Sequence, residues 1–140
     1  IKNGSLDVLE LGNLYSKRDW GFAGDYVRGM WKMLQQNKGD DYVLATGKNQ
    51  SIKDFIDMTA PYFGFSLEWE GEGISTRGID KKSGKVIVKV NPEYFRPVEV
   101  DYLIGDATKA KTILGWEPKV SFSKLVEMMS LRDLERATQF

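Results

Sequence analysis

Two compact polar clusters hold the residue types best suited to chemistry in this sequence. The first is Gly12-Asn13-Leu14-Tyr15-Ser16-Lys17-Arg18-Asp19-Trp20, and the second is Tyr94-Phe95-Arg96-Pro97-Val98-Glu99-Val100-Asp101. Arg18 and Arg96 offer planar, paired donors of the kind that match diphosphate oxygens. Glu99 offers acceptors for ribose hydroxyls or for the N–H groups of a base. The same residues also read as ordinary surface ion pairs, Arg18 with Asp19 and Arg96 with Glu99 or Asp101. Residue chemistry alone leaves both readings open.

Composition excludes much else. The chain has no His and no Cys, which removes thiol nucleophiles, disulfides, zinc–thiolate sites and the commonest general base. No tyrosine is followed four positions later by lysine, so a Tyr-x-x-x-Lys proton-transfer pair is missing. Gly71-Glu72-Gly73 looks superficially like a phosphate loop, but no helical pattern follows it, and it reads as a turn. Walker and Gly-x-Ser-x-Gly patterns are absent too. The chain therefore offers no catalytic, cofactor-binding or metal-binding candidates of its own. Lys plus Arg balances Asp plus Glu at 20 each, so no net field favours nucleic acid or an anionic membrane.

The elements that must position the two clusters follow from periodicity. Val8, Leu9 and Leu11 mark a strand over 6–11, ended by Gly12-Asn13, so the first cluster lies on the loop after a strand. Phe22, Ala23, Tyr26, Val27, Met30, Trp31, Met33 and Leu34 recur at three- and four-residue spacing and predict a helix over 23–36. Residues 41–47 form a short apolar run bounded by turn residues, as in a buried parallel strand. Ser51 and Asp54 fit a capping box, with Pro61 weakening the last turn and Gly64 ending it.

Beyond Gly64 the pattern becomes extended, with Phe65, Leu67 and Trp69 alternating. Val86, Val88 and Val90 mark a further strand. Pro92 and Pro97 keep the second cluster out of regular helix. Asp106 caps a short helix carrying Ala110, Ile113 and Leu114, with Gly115 past its end. A last helix starts near Phe122 and turns Leu125, Val126 and Met129 inward.

At 140 residues the chain is the size of one domain, and 41% hydrophobic with 29% charged residues is a globular composition. The longest apolar run, over 42–45, is too short to span a bilayer. No secretory leader is visible and a cytoplasmic location is expected. The opening Ile1-Lys2-Asn3-Gly4 looks like the middle of a longer protein.

In order along the chain stand Gly12-Asn13-Leu14, Lys17-Arg18-Asp19-Trp20-Gly21-Phe22-Ala23 and Asp25-Tyr26-Val27. Ala45-Thr46-Gly47, Trp69-Glu70-Gly71 and Ser83-Gly84-Lys85-Val86 follow. The block from Tyr94 to Asp101, then Gly105-Asp106-Ala107-Thr108-Lys109-Ala110-Lys111 and Leu114-Gly115-Trp116-Glu117-Pro118, complete the series. Together they resemble the GDP-mannose 4,6-dehydratase family of extended short-chain dehydrogenase/reductases, over almost the whole chain. The Arg-Asp-Trp-Gly and Arg-Pro-x-Glu-Val-Asp blocks are the specific ones. Two stretches depart from the family pattern: Pro61 lies in a helix that usually continues, and 73–82 is not recognisably family-like.

The resemblance implies an α/β fold: the last elements of a Rossmann-type doubly wound sheet over 1–64, with the first substrate loop. A C-terminal nucleotide-sugar-binding cap region of short strands and helices follows over 65–140. It implies NADP as cofactor, bound upstream together with the catalytic residues, so that this chain would be an inactive, substrate-binding C-terminal part. The family reaction oxidises C4 of mannose, eliminates water across C5 and C6, and returns the hydride to C6, giving GDP-4-dehydro-6-deoxy-mannose. It implies a homo-oligomeric full-length enzyme with GDP-mannose as its partner.

Carried over by position, Arg18 and Arg96 would meet the diphosphate and Glu99 the ribose or base. Asn13 and Lys17 would touch guanosine, while Trp20, Trp31 and Trp116 are expected in the core. Two other readings are another dehydratase or epimerase of the superfamily, and a stand-alone, non-catalytic nucleotide-sugar-binding or assembly module.

Overall fold

The computed structural model describes residues 1–96 and 103–137. Its sheet is organised around Val86–Val90 (β6), whose β-branched residues place Ile87, Val88 and Val90 in the interior. On one side Leu9–Leu11 (β1) pairs with β6 in parallel, Leu9 opposite Val88 and Leu11 opposite Val90. On the other side Arg77–Asp80 (β5) pairs antiparallel, and Leu67–Glu70 (β4) closes the order β1-β6-β5-β4. In β4, Leu67 and Trp69 alternate with exposed glutamates, as a strand with one covered face requires. Asp80 closes the β5–β6 hairpin by accepting from Ser66 N and from both the amide and the hydroxyl of Ser83. The stretch 73–82, unread in the sequence, supplies β5.

Lys17–Arg18 (β2) and Gln50–Ser51 (β3) form a separate two-stranded sheet. Ile52–Thr59 (α2) opens on the expected capping box: Ser51 Oγ accepts from Asp54 N at 3.0 Å, and Asp54 Oδ2 accepts from Ser51 N at 2.8 Å. Pro61 has no N–H to continue the α ladder, so the chain tightens into a 3₁₀ turn, Ala60–Phe63. Gly64 ends it at φ 84°, a left-handed conformation in which a β-carbon is strained.

Contacts divide the chain into two compact units. One contains Ile1–Ser16, Ser51–Val100 and Val126–Phe140, and the other Lys17–Gln50 and Asp101–Leu125. They interleave along the sequence. The core of the first unit gathers Leu14, Ile56 of α2, and Ile87, Val88 and Val90 of β6.

The second unit centres on Trp116, Leu114 and Ala110. Around them lie Ala23–Leu34 (α1) and Thr108–Leu114 (α3). Trp116 Nε1 donates to the carbonyl of Asp25 at 2.7 Å, and Tyr26 stacks on the indole. The Asp25 carboxylate is fully buried and accepts from Lys119 N and Val120 N, both at 2.9 Å, and from Arg28. Phe122–Ala137 (α4) is the last helix.

Several expectations are corrected. The run 42–45 belongs to no strand among the described residues, because a strand exists only through a hydrogen-bonded neighbour. α1 ends at Leu34, and the Asp25–Gly29 face packs inward; Met30, Trp31 and Leu34 therefore point outward, Trp31 62% and Leu34 81% exposed. Trp31 is thus not core. α3 begins at Thr108, although Asp106 still accepts its first amide at 2.9 Å. On α4, Val126 is buried but Met129 is exposed, and Ser130 takes the inward position. Among the described residues no helix is long and apolar enough to cross a membrane.

Candidate functional site

β1 and β6 are neighbours and parallel, so they deliver their loops, 12–16 and 91–96, at the same end of the sheet. Ligands in α/β sheets bind at the carboxyl ends of parallel strands. Asn91 N donates to Leu11 O at 2.8 Å, carrying the ladder one step past β6. From there the second loop turns on itself: Tyr94 N donates to Asn91 O and Glu93 N to Asn91 Oδ1. Phe95 packs into the core, which leaves Tyr94 and Arg96 exposed on either side of it.

The two loops touch. A β-carbon added at Gly12 would lie 2.5 Å from the carbonyl oxygen of Tyr94, so this approach requires glycine. Asn13 follows immediately, and its side-chain oxygen accepts from Tyr15 N at 3.0 Å, an Asx turn. Leu14 inserts into the core, while the carbonyls of Leu14 and Ser16 accept from Lys53 N and Ile52 N in the first turn of α2. Beneath the loops, Glu10 pairs with Lys89 at 2.7 Å and accepts from Asn91 Nδ2 at 2.8 Å. The hydrogen bonds from Lys89 and then Asn91 hold its carboxyl below the usual range.

Lys17 and Arg18 lie in the second unit, on β2; Lys17 is exposed and Arg18 half-buried. Arg18 Nη1 donates to the Lys17 carbonyl at 2.7 Å. Asp19 turns its carboxylate toward the 46–47 turn. Oδ1 accepts from Thr46 N and Thr46 Oγ1, and Oδ2 accepts from Gly47 N at 2.9 Å. Trp20 stacks on Phe122 with ring centres 5.6 Å apart, and Gly21 lies directly against the Tyr26 hydroxyl. Burial, with the Asp19 and Asp25 charges, raises the Tyr26 pKa.

The structure thus brings the loops of Asn13 and Arg96 together within one unit, with Lys17 and Arg18 in the other. Glu99, with Asp101, lies outside the described residues. The residues missed by sequence reasoning are Thr46 and Gly47. Their bonds to Asp19 span 27 and 28 positions, a distance at which no local spacing signals a partner. Gly71-Glu72-Gly73 is a turn as expected, leading through the 3₁₀ turn Gly73–Ser75 into β5 and not into a helix. It therefore offers no helix N-terminus for a dinucleotide phosphate.

The family model described as GDP-mannose 4,6 dehydratase matches residues 1–129. This chain belongs to that family. It is 52% identical over 134 residues to a GDP-mannose 4,6-dehydratase of Sinorhizobium fredii, covering 96% of this chain and 38% of that relative. Against the human GDP-mannose 4,6 dehydratase it is 46% identical over 132 residues, covering 94% of this chain and 36% of the relative. A Sordaria araneosa dehydratase is 52% identical over 135 residues, 96% of this chain but 25% of its own length. The chain thus spans only 25–38% of the length of these curated relatives.

Among solved structures, RMD from Pseudomonas aeruginosa complexed with NADPH matches with TM-score 0.68 and 16% identity, over 92% of this chain and 37% of that one. UDP-glucose 4-epimerase from Bifidobacterium longum, in complex with NAD+ and UDP, matches with TM-score 0.68 and 16% identity, over 99% and 38%. These likenesses show the expected fold, a Rossmann-type α/β architecture.

Proposed function

We propose that this chain is the nucleotide-sugar-binding part of a GDP-mannose 4,6-dehydratase, an NADP-dependent lyase that converts GDP-mannose to GDP-4-dehydro-6-deoxy-mannose. The observation that carries the reading is the meeting of loops 12–16 and 91–96 at the carboxyl ends of two adjacent parallel strands, in a chain of this family. In this reading Arg96 and Arg18 each bind the diphosphate, Glu99 accepts from ribose or base, and Asn13 and Lys17 contact guanosine. Asn13 fits that task because its side-chain oxygen is used by Tyr15 N, which orients the amide nitrogen as a donor.

NADP supplies the hydride chemistry of such enzymes. The described residues of this chain do not fit it, since its one glycine pair enters a strand. We assign its binding, and the catalytic groups, to the remainder of a longer enzyme that works in the cytoplasm as a homo-oligomer.

The test is GDP-mannose affinity of the complete enzyme by calorimetry. Arg18→Ala and Arg96→Ala should each weaken it about ten- to hundredfold, the loss of a charge-assisted contact of roughly 1.5–3 kcal/mol, with NADP affinity kept. Lysine should restore part, because a point charge cannot make the two-pronged contact. Parent-like affinity in both alanine variants would make the arginines surface charges.

A further inference from the structure

The geometry points to Asp19 as a positioning residue that holds its neighbour Arg18 in place for the diphosphate. This inference rests on the proposal that Arg18 binds that group, and it concerns how the arginine is presented. Both carboxylate oxygens of Asp19 are engaged by the 46–47 turn of the same unit, in three hydrogen bonds from Thr46 N, Thr46 Oγ1 and Gly47 N.

The two residues that follow are fixed as well. Trp20 stacks on Phe122, and Gly21 has no room for a β-carbon, which would collide with Tyr26 Oη and lie 3.0 Å from Thr46 Cγ2. Arg18 therefore stands at the last step of β2, followed by three consecutive anchors. Its side chain leaves a backbone that is fixed on both sides. A long side chain loses rotamer freedom when it engages a ligand, and a fixed starting point lowers that cost.

The chemistry requires a carboxylate at this position. All three donors point at oxygen, so Asn in place of Asp would set its own N–H₂ against one of them. Thr46→Val removes one donor of the three and leaves the two amides.

The experiment measures GDP affinity and melting temperature of the complete enzyme carrying this chain. We expect Asp19→Asn to weaken GDP about three- to tenfold, the scale of ordering one long side chain, and Thr46→Val to weaken it less. The deciding variant is the double substitution Arg18→Ala with Asp19→Asn. If Asp19 acts through Arg18, the double variant binds GDP no worse than Arg18→Ala alone. A purely structural role would lower both affinities by the same factor, and that result overturns the inference. If Asp19→Asn does not fold, Thr46→Val takes its place: its weakening must vanish in the Arg18→Ala background, and persistence overturns the inference. Loss of GDP affinity in Arg18→Ala with parent-like Asp19→Asn refutes positioning and leaves the diphosphate reading standing. Parent-like affinity in Arg18→Ala refutes the diphosphate reading and positioning with it.

Discussion

Loop 91–96 turns on bonds that span two or three residues, from Glu93 and Tyr94 back to Asn91, with Phe95 as its anchor side chain and Asn91 tied at its start to Leu11 and Glu10 of the neighbouring strand. Loop 17–22 is held by carboxylates whose partners lie 27 and 28 residues away for Asp19. In the helix just beyond it, the partners of Asp25 lie 94 and 95 residues away. A loop of the first kind takes its shape from its own sequence. A loop of the second kind takes its shape from the packing of its whole unit, and should lose it when that packing is disturbed. Each presents one of the two arginines, so their sensitivities to substitution separate the two modes of support.

The largest expected effect comes from Asp25→Ala. The carboxylate is fully buried, and its removal leaves the amides of Lys119 and Val120 without an acceptor and the Arg28 charge without its partner. Each orphaned amide costs about 1–3 kcal/mol, so a loss of about 3 kcal/mol in urea unfolding is expected. Burial opposes ionisation of Asp25, but the Val120 and Lys119 amides and Arg28 outweigh it and hold its pKa below the ordinary carboxylate value. Its contribution is therefore present above the unfolded-state pKa of about 3.9 and lost as pH falls through the folded value. Asp25→Asn should flatten the acid limb of the stability curve below about pH 4. An unchanged acid limb would mean that the carboxylate is not held as the geometry has it.

The same contrast sets what was legible in the sequence. The α2 capping box, the Gly64 stop and the strand at Val86–Val90 depend on residues a few positions apart, and all were readable. β5 was not, because Arg77-Gly78-Ile79-Asp80 has only one large apolar residue and exists through pairing with β4 and β6. The outward face of α1 was misread because periodicity marks an apolar stripe without saying which stripe is covered. Here Gly29 and Asp25 face inward while Trp31 and Leu34 do not. Of the candidate site, Arg18, Arg96 and Asn13 could be named from residue type and resemblance. The donors that fix Asp19 could not, since Thr46 and Gly47 carry no mark of a partner so distant in sequence.

Gly12→Ala probes a place where the locally turned loop meets another segment at the tip. The added β-carbon would meet the Tyr94 carbonyl, a backbone atom with no rotamer to move away. Overpacking of this kind costs roughly 1–3 kcal/mol and should push the Tyr94–Arg96 peptide outward. The expected signature is a lower urea midpoint together with weaker GDP-mannose binding, without further weakening when Arg96→Ala is already present. Full retention of affinity would show that the approach of Gly12 to Tyr94 has no part in presenting Arg96.

The smallest effect is expected at Glu10. Its carboxylate is half-buried, pairs with Lys89 and accepts from the side chain of Asn91, the residue on which loop 91–96 turns. Glu10→Gln removes the charge but keeps an amide oxygen for Asn91 Nδ2. The turn keeps its other supports: Asn91 N on Leu11 O, Tyr94 N on Asn91 O, and Glu93 N on Asn91 Oδ1. The hydrogen bonds from Lys89 and Asn91 lower the Glu10 pKa, so what the charge adds is present above the unfolded value of about 4.3 and lost as pH falls through the folded one. The parent should thus melt slightly above Glu10→Gln at neutral pH and low salt. That difference should shrink in high salt, which screens exposed pairs, and disappear under acid. GDP-mannose affinity should not change at any of these conditions. If Glu10→Gln instead weakens GDP-mannose as strongly as Arg96→Ala, loop 91–96 depends on a charge on the neighbouring strand, and the contrast between a locally and a remotely supported arginine does not hold.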